Sequence, residues 1–214
     1  MLEEITGDKL KEQFKSNKKL RMTSMIVGGI ILVVLGYFAY MQFFWNPNNE
    51  ASKDSYWEGL NYAIAPDSTD AAIDELHAAV NKYDGKIGGE VAQFAYARQL
   101  MEKGEFKSAL NELDGVDVSD TYVQIMVLGL KADCHAEMDD YEKAANMYLD
   151  AAEMSDNEFT TPMYLFKAGL CAEEIKNFEK ATECYQRIKD EYTSYASQKQ
   201  IDKYIARAGS KTNK

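Results

Sequence analysis

Three cysteines, Cys134, Cys171 and Cys184, and two histidines, His77 and His135, are the side chains of this sequence best suited to covalent or metal chemistry. An odd count of three does not make a disulfide framework. Cys134 and Cys171 fall at equivalent positions of a repeating pattern, on helices that ordinary packing holds about 10 Å apart, beyond disulfide reach. Cys171 and Cys184 fall on the two helices of one repeat, at levels offset by more than a turn. The thiols are therefore expected to act as small buried hydrophobes. Neither histidine has a partner at metal-ligand spacing, so no zinc site is expected. The acidic pairs Asp139-Asp140 and Glu173-Glu174 fall at an inter-helix turn and near a helix end, where solvated charge is expected in place of acid–base work. The sequence has no glycine-rich phosphate loop, nucleophile elbow or calcium loop. These features together predict a chain that is not an enzyme, with no catalytic residue, no cofactor, no metal and no small-molecule substrate.

The elements that would carry these residues repeat. Phe106-Lys107-Ser108-Ala109, Tyr141-Glu142-Lys143-Ala144 and Phe178-Glu179-Lys180-Ala181 share an aromatic-x-x-Ala pattern, the aromatics 35 and 37 residues apart. Each alanine is followed four positions later by a large residue (Leu113, Tyr148, Tyr185) and preceded twelve positions earlier by a small one (Ala97, Ala132, Gly169). Antiparallel helices crossing where side chains are smallest would produce this recurrence. The pattern resembles the tetratricopeptide repeat (TPR), over roughly residues 55 to 195. The expected fold is all-α: a TPR-type helical-hairpin solenoid preceded by a single N-terminal transmembrane helix.

That helix is read from Met22 to Trp45, 24 consecutive residues without charge. About 20 residues cross the hydrocarbon core, so the run is long enough to span with some tilt. Aromatics from Tyr37 to Trp45 stand where a cleavage site needs small residues, which favours an uncleaved signal anchor. Lys9, Lys11, Lys15, Lys18, Lys19 and Arg21 precede the run and the first basic residue after it is Lys53. The positive-inside rule then puts the N-terminus in the cytoplasm and the repeats across the membrane. Ser24, Gly28, Gly29 and Gly36 would let another membrane helix approach. The chain carries a net charge of -11, and the first 21 residues hold six basic and four acidic groups, leaving -13 for the rest. So acidic a domain is not expected to bind nucleic acid.

The predicted organisation is a basic cytoplasmic tail (1–21), a membrane helix (22–45), a linker (46–54), the solenoid (55–195), a C-terminal capping helix (196–208) and a disordered tail (209–214). Asn46-Pro47-Asn48-Asn49 should break the membrane helix. A helix from about Ser52 with Tyr56, Trp57, Leu60 and Ile64 would start a degenerate first repeat. Asp84 to Gly89 reads as a flexible connection. Helix pairs follow at about 90–103 with 105–115, 120–138 with 140–154, and 160–175 with 177–192, their turns using Gly104 and then Asp and Asn.

In TPR proteins the first helices line the concave wall, which here implies Val91, Phe94, Arg98 and Met101, then Met126, Asp133 and Ala136, then Met163, Phe166 and Leu170. The carboxylate-clamp lysines and asparagines of one TPR subset are not reproduced, leaving an apolar wall that either holds a protein partner or is filled by the chain's own terminal helix. The layout of tail, anchor and acidic repeats, with Phe159-Thr160-Thr161-Pro162 and Asp202-Lys203-Tyr204-Ile205-Ala206-Arg207-Ala208, is similar to the YfgM-like ancillary subunits of the bacterial Sec translocon, among the membrane-anchored TPR proteins of Bacteroidetes-type bacteria. The resemblance implies a single-pass inner-membrane protein with a periplasmic TPR domain. Its expected partners are translocon subunits, periplasmic chaperones or client polypeptides. A scaffold in another envelope complex and a peptide-sensing regulator are the alternatives, the latter disfavoured by a 21-residue tail.

Overall fold

The computed structural model describes residue 12 and residues 14–212, and the chain divides into two compact units, Met1–Ala51 and Ser52–Lys214. The predictions for Lys9, Lys11 and residues 213–214 lie outside the described residues.

In the first unit, α1 (Lys18–Tyr40) begins where Asn17 accepts the backbone N–H of Leu20 through its side chain, at 3.1 Å. α1 lies in the one helical stretch among the described residues that is long and apolar enough to cross a membrane, and none of its residues is buried. Asn46-Pro47-Asn48-Asn49 does not break the helical path as expected: a π-helical turn (Met41–Trp45) leads directly into α2 (Asn46–Ser52). The Asn46 N–H reaches back to Met41 O, five residues earlier. Such a widened turn accommodates a proline whose ring would otherwise strike a carbonyl in the preceding turn.

The second unit is a succession of helix pairs: α3 (Trp57–Ala63) with α4 (Thr69–Lys82), α5 (Ile87–Glu102) with α6 (Phe106–Gly115), α7 (Thr121–Glu137) with α8 (Tyr141–Met154), and α9 (Thr160–Glu174) with α10 (Phe178–Glu191). Two further helices, α11 (Thr193–Lys199) and α12 (Ile201–Thr212), follow. Each helix packs chiefly on its neighbours in sequence, and α12 lies against α10. The repeat alanines Ala109, Ala144 and Ala181 and their small partners Ala97 and Ala132 are fully buried. At Gly169 an added Cβ would collide with the ring of Tyr185, itself fully buried. Burying a side chain of the size of Leu113 or Ile188 stabilises by about 1.5–3 kcal/mol, so these crossings hold each pair together.

Several local expectations need correction. Trp57 and Ile64 are exposed, while Tyr56 and Leu60 pack on the core and Gly59 is buried against Leu76. The connection over 84–89 is not loose at its end: Gly88 and Gly89 are buried in the first turn of α5, and the Gly88 N–H donates to Ser52 Oγ at 3.0 Å. A Cβ on either glycine would run into the backbone of Ser52 or Tyr83. The three inter-helix turns place Gly104, Asp139 and Lys176 at positive φ, so the last uses lysine where asparagine was expected. Asn177 instead caps α10, accepting from the Lys180 N–H at 3.1 Å. The single capping helix is two helices joined at Gln200, which adopts a left-handed conformation, and α12 continues to Thr212 where a disordered tail was expected from 209.

Candidate protein-binding groove

The segment 116–120 joins α6 to α7 without helical structure and lies beside the start of α5. Three hydrogen bonds hold that segment in place. The Asp117 N–H donates to Glu90 Oε2 at 2.7 Å, Gln124 Nε2 donates to Val118 O at 2.7 Å, and the Asp120 carboxylate caps α7 by accepting the Val123 N–H at 3.0 Å. The result is a groove of about 500 Å³, within the range of about 300–1,000 Å³ typical of ligand sites. Ile87, Val91 and Phe94 form one wall, and Val118, Val123 and Met126 the other. Ile87 and Met126 remain 57% and 43% exposed, so much of this apolar lining faces water. Phe94 is anchored from behind by the buried cluster around Ala97, Leu100 and Leu113.

The rim carries Glu90, Asp117 and Asp120, and none of the lining residues is basic. Burial raises the pKa of the Glu90 carboxyl; its bond from the Asp117 N–H opposes this, while the Asp117 and Asp84 charges add to the rise. Carboxylates are thus held close together beside an apolar surface.

Of the wall residues expected from the sequence, the structure brings Val91, Phe94 and Met126 together in this groove. Arg98 is exposed outside it, and Met101 packs against the core behind it. Asp133 does not present a free carboxylate: Tyr148 Oη donates to it, and Lys167 Nζ lies 2.6 Å from its Oδ1. Phe166 is covered by the chain itself, with Tyr204 of α12 edge-on at 4.8 Å between ring centroids and Tyr185 at 6.0 Å. At Phe166 the terminal helix covers the wall. Met163 lines a separate depression of about 370 Å³ with Phe159 and Tyr195, and Leu170 another of about 450 Å³ beside Arg207 and Lys211. Ala136 packs against the core. On α1, side chains added at Gly28, Gly29 or Gly36 would meet nothing within 4 Å, and Ser24 is exposed.

Sequence reasoning missed Ile87, Glu90, Asp117, Val118 and Val123. The signal available was the Val116-Asp117-Val118 run next to the helix cap Asp120, which supplies apolar side chains and charge from a connection between helices. Another depression, about 580 Å³ beside Lys189, Thr193 and Gln200, is more polar, and its Lys189 and Asp202 pair with each other at 2.7 Å, so it offers a partner less apolar surface.

All three cysteines are buried and unpaired, and burial pushes each thiol up to about 11. His135 is buried with Nδ1 3.3 Å from Asp140 Oδ2, and His77 stacks on Tyr96. Among the described residues no group of three or more His, Cys, Asp or Glu side chains could hold a metal ion.

No curated protein matches this chain. The family model for the tetratricopeptide repeat-like domain matches residues 11–159, a span that includes α1 as well as the helix pairs through α8. Since that span is more than half of the 214 residues, the chain belongs to the tetratricopeptide repeat-like domain family.

Proposed function

We propose that this protein is a membrane-anchored protein–protein interaction module whose repeat domain holds polypeptides on the outer side of the cytoplasmic membrane. TPR-like domains are interaction modules as a class. The observation that carries the reading here is the half-exposed apolar groove between α5 and α7, since large apolar patches left in water mark sites of association. The anchor is α1, whose apolar side chains find no cover within their own unit. The basic residues before it favour a cytoplasmic N-terminus and a periplasmic repeat domain. The layout is in keeping with an ancillary subunit beside the Sec translocon that passes emerging chains to periplasmic chaperones.

Affinity purification of the full chain from gently solubilised membranes tests this reading. Translocon subunits or periplasmic chaperones should co-purify with the wild-type protein and be depleted with Met126→Asp, which places a charge on an exposed groove position. Recovery of a different envelope complex, equally from both proteins, would assign the chain to a scaffold role instead. Activity of a periplasm-dependent reporter fused after Lys214 checks the orientation, and activity only in the cytoplasm would overturn it.

A further inference from the structure

Resting on the reading of the groove as a polypeptide site, we infer that its partner is an apolar peptide segment carrying a lysine or arginine beside its apolar side chains. The apolar walls offer such a segment about 500 Å³ between Phe94 and Met126. Where the walls end, Glu90, Asp117 and Asp120 form a rim without a basic residue among the lining. Glu90 is the most informative of the three. It is partly buried and already receives the Asp117 N–H, yet the Asp117 and Asp84 charges still work against its ionisation. An arriving cation would relieve that repulsion, whereas an acidic segment would add to it.

The acidity is not uniform over the domain. At its far end Lys199 lies over the Phe166 ring, Lys203 and Arg207 over Tyr204, and Lys211 over Phe178, and Arg207 also pairs with Glu173, so bases and acids are mixed there. A partner bearing cations is therefore favoured at the α5–α7 groove, whose lining holds acidic residues and no base. An anionic lipid surface is excluded as occupant of the groove by the same rim.

The test uses the full chain in zwitterionic phosphatidylcholine nanodiscs and fluorescent leucine-rich peptides flanked by lysine, glutamine or glutamate, with empty discs subtracted. At low salt the lysine-flanked probe should bind about tenfold more tightly than the glutamine-flanked one, the sum of a few rim ion pairs. The advantage should fall away in a Glu90→Gln, Asp117→Asn, Asp120→Asn variant, asparagine preserving the α7 cap. It should survive in a Glu142→Gln, Asp150→Asn, Glu179→Gln variant, which removes as much exposed charge from second helices. Equal binding of lysine- and glutamine-flanked probes to the wild type would overturn the inferred partner while leaving the groove as the site. Binding of every probe unaffected by Met126→Asp would instead overturn the groove. Failure of all probes to bind, or self-association of the wild type abolished by Met126→Asp, would also overturn the inference, the latter assigning the groove to a second copy.

Discussion

Lys167 Nζ lies 2.6 Å from Asp133 Oδ1, joining the first helices of adjacent pairs across 34 residues of sequence. The same separation recurs where Lys180 donates to Asn146 at 2.7 Å and where Arg207 donates to Glu173 at 2.6 Å. Side-chain links between pairs thus recur at one fixed separation, about one helical turn short of the 37 residues between Ala132 and Gly169. The third link puts α12 in the register of a first helix, so the capping element continues the stacking with a polar outer face, as a terminal repeat must.

Because Asp133 also receives the hydroxyl of buried Tyr148, removing it leaves that hydroxyl without its acceptor. Asp133→Ala should cost about 1–3 kcal/mol. Lys167→Met should cost less than about 1 kcal/mol, since that side chain is 35% exposed. Urea unfolding midpoints check the order, and a larger loss for Lys167→Met would contradict this account of the network.

Two helical glycines should respond in opposite senses to alanine. Gly88→Ala forces a methyl into the Ser52 backbone, which cannot move away as a flexible side chain would, so a loss of at least about 1–3 kcal/mol is expected. Gly209→Ala meets nothing within 4 Å and should gain up to about 1 kcal/mol from helix propensity. Thermal unfolding followed by the helical circular dichroism signal reads both changes.

The buried thiols make a pH prediction. Their pKa values near 11 stand above the ordinary value of about 8.5, so between these limits the folded state binds more protons than the unfolded one. The thiol contribution to stability is full below about pH 8.5 and is lost as pH rises through about 11. Native-state labelling by a thiolate-selective reagent at neutral pH should be slow and should accelerate with urea in step with unfolding. Rapid labelling of Cys171 without denaturant would contradict its burial.

The fold was legible because helix crossings demand small residues at fixed intervals, and Ala97, Ala132, Gly169 and their partner alanines carry that demand directly in the sequence. The helical path through Pro47 was not, since a proline reads locally as a stop and only the preceding π turn reveals how its ring is accommodated. The wall was legible in part. Val91, Phe94 and Met126 follow from the resemblance to TPR proteins, but that register does not show which neighbour covers a position. Phe166 is taken by Tyr204 and Asp133 by Tyr148 and Lys167, all set by how successive pairs stack. Gly129 was unreadable for the same reason: an added Cβ there would strike the ring of Tyr164 from the next pair.

A photo-crosslinking phenylalanine analogue at position 126 of the full chain, activated in native membranes, tests the central claim most directly. The control position is 143, an exposed residue on second helix α8. The account predicts polypeptide adducts at 126 that are depleted by Ile87→Asp on the facing wall, and none at 143. Equal adducts at both positions, or none at 126, would contradict it.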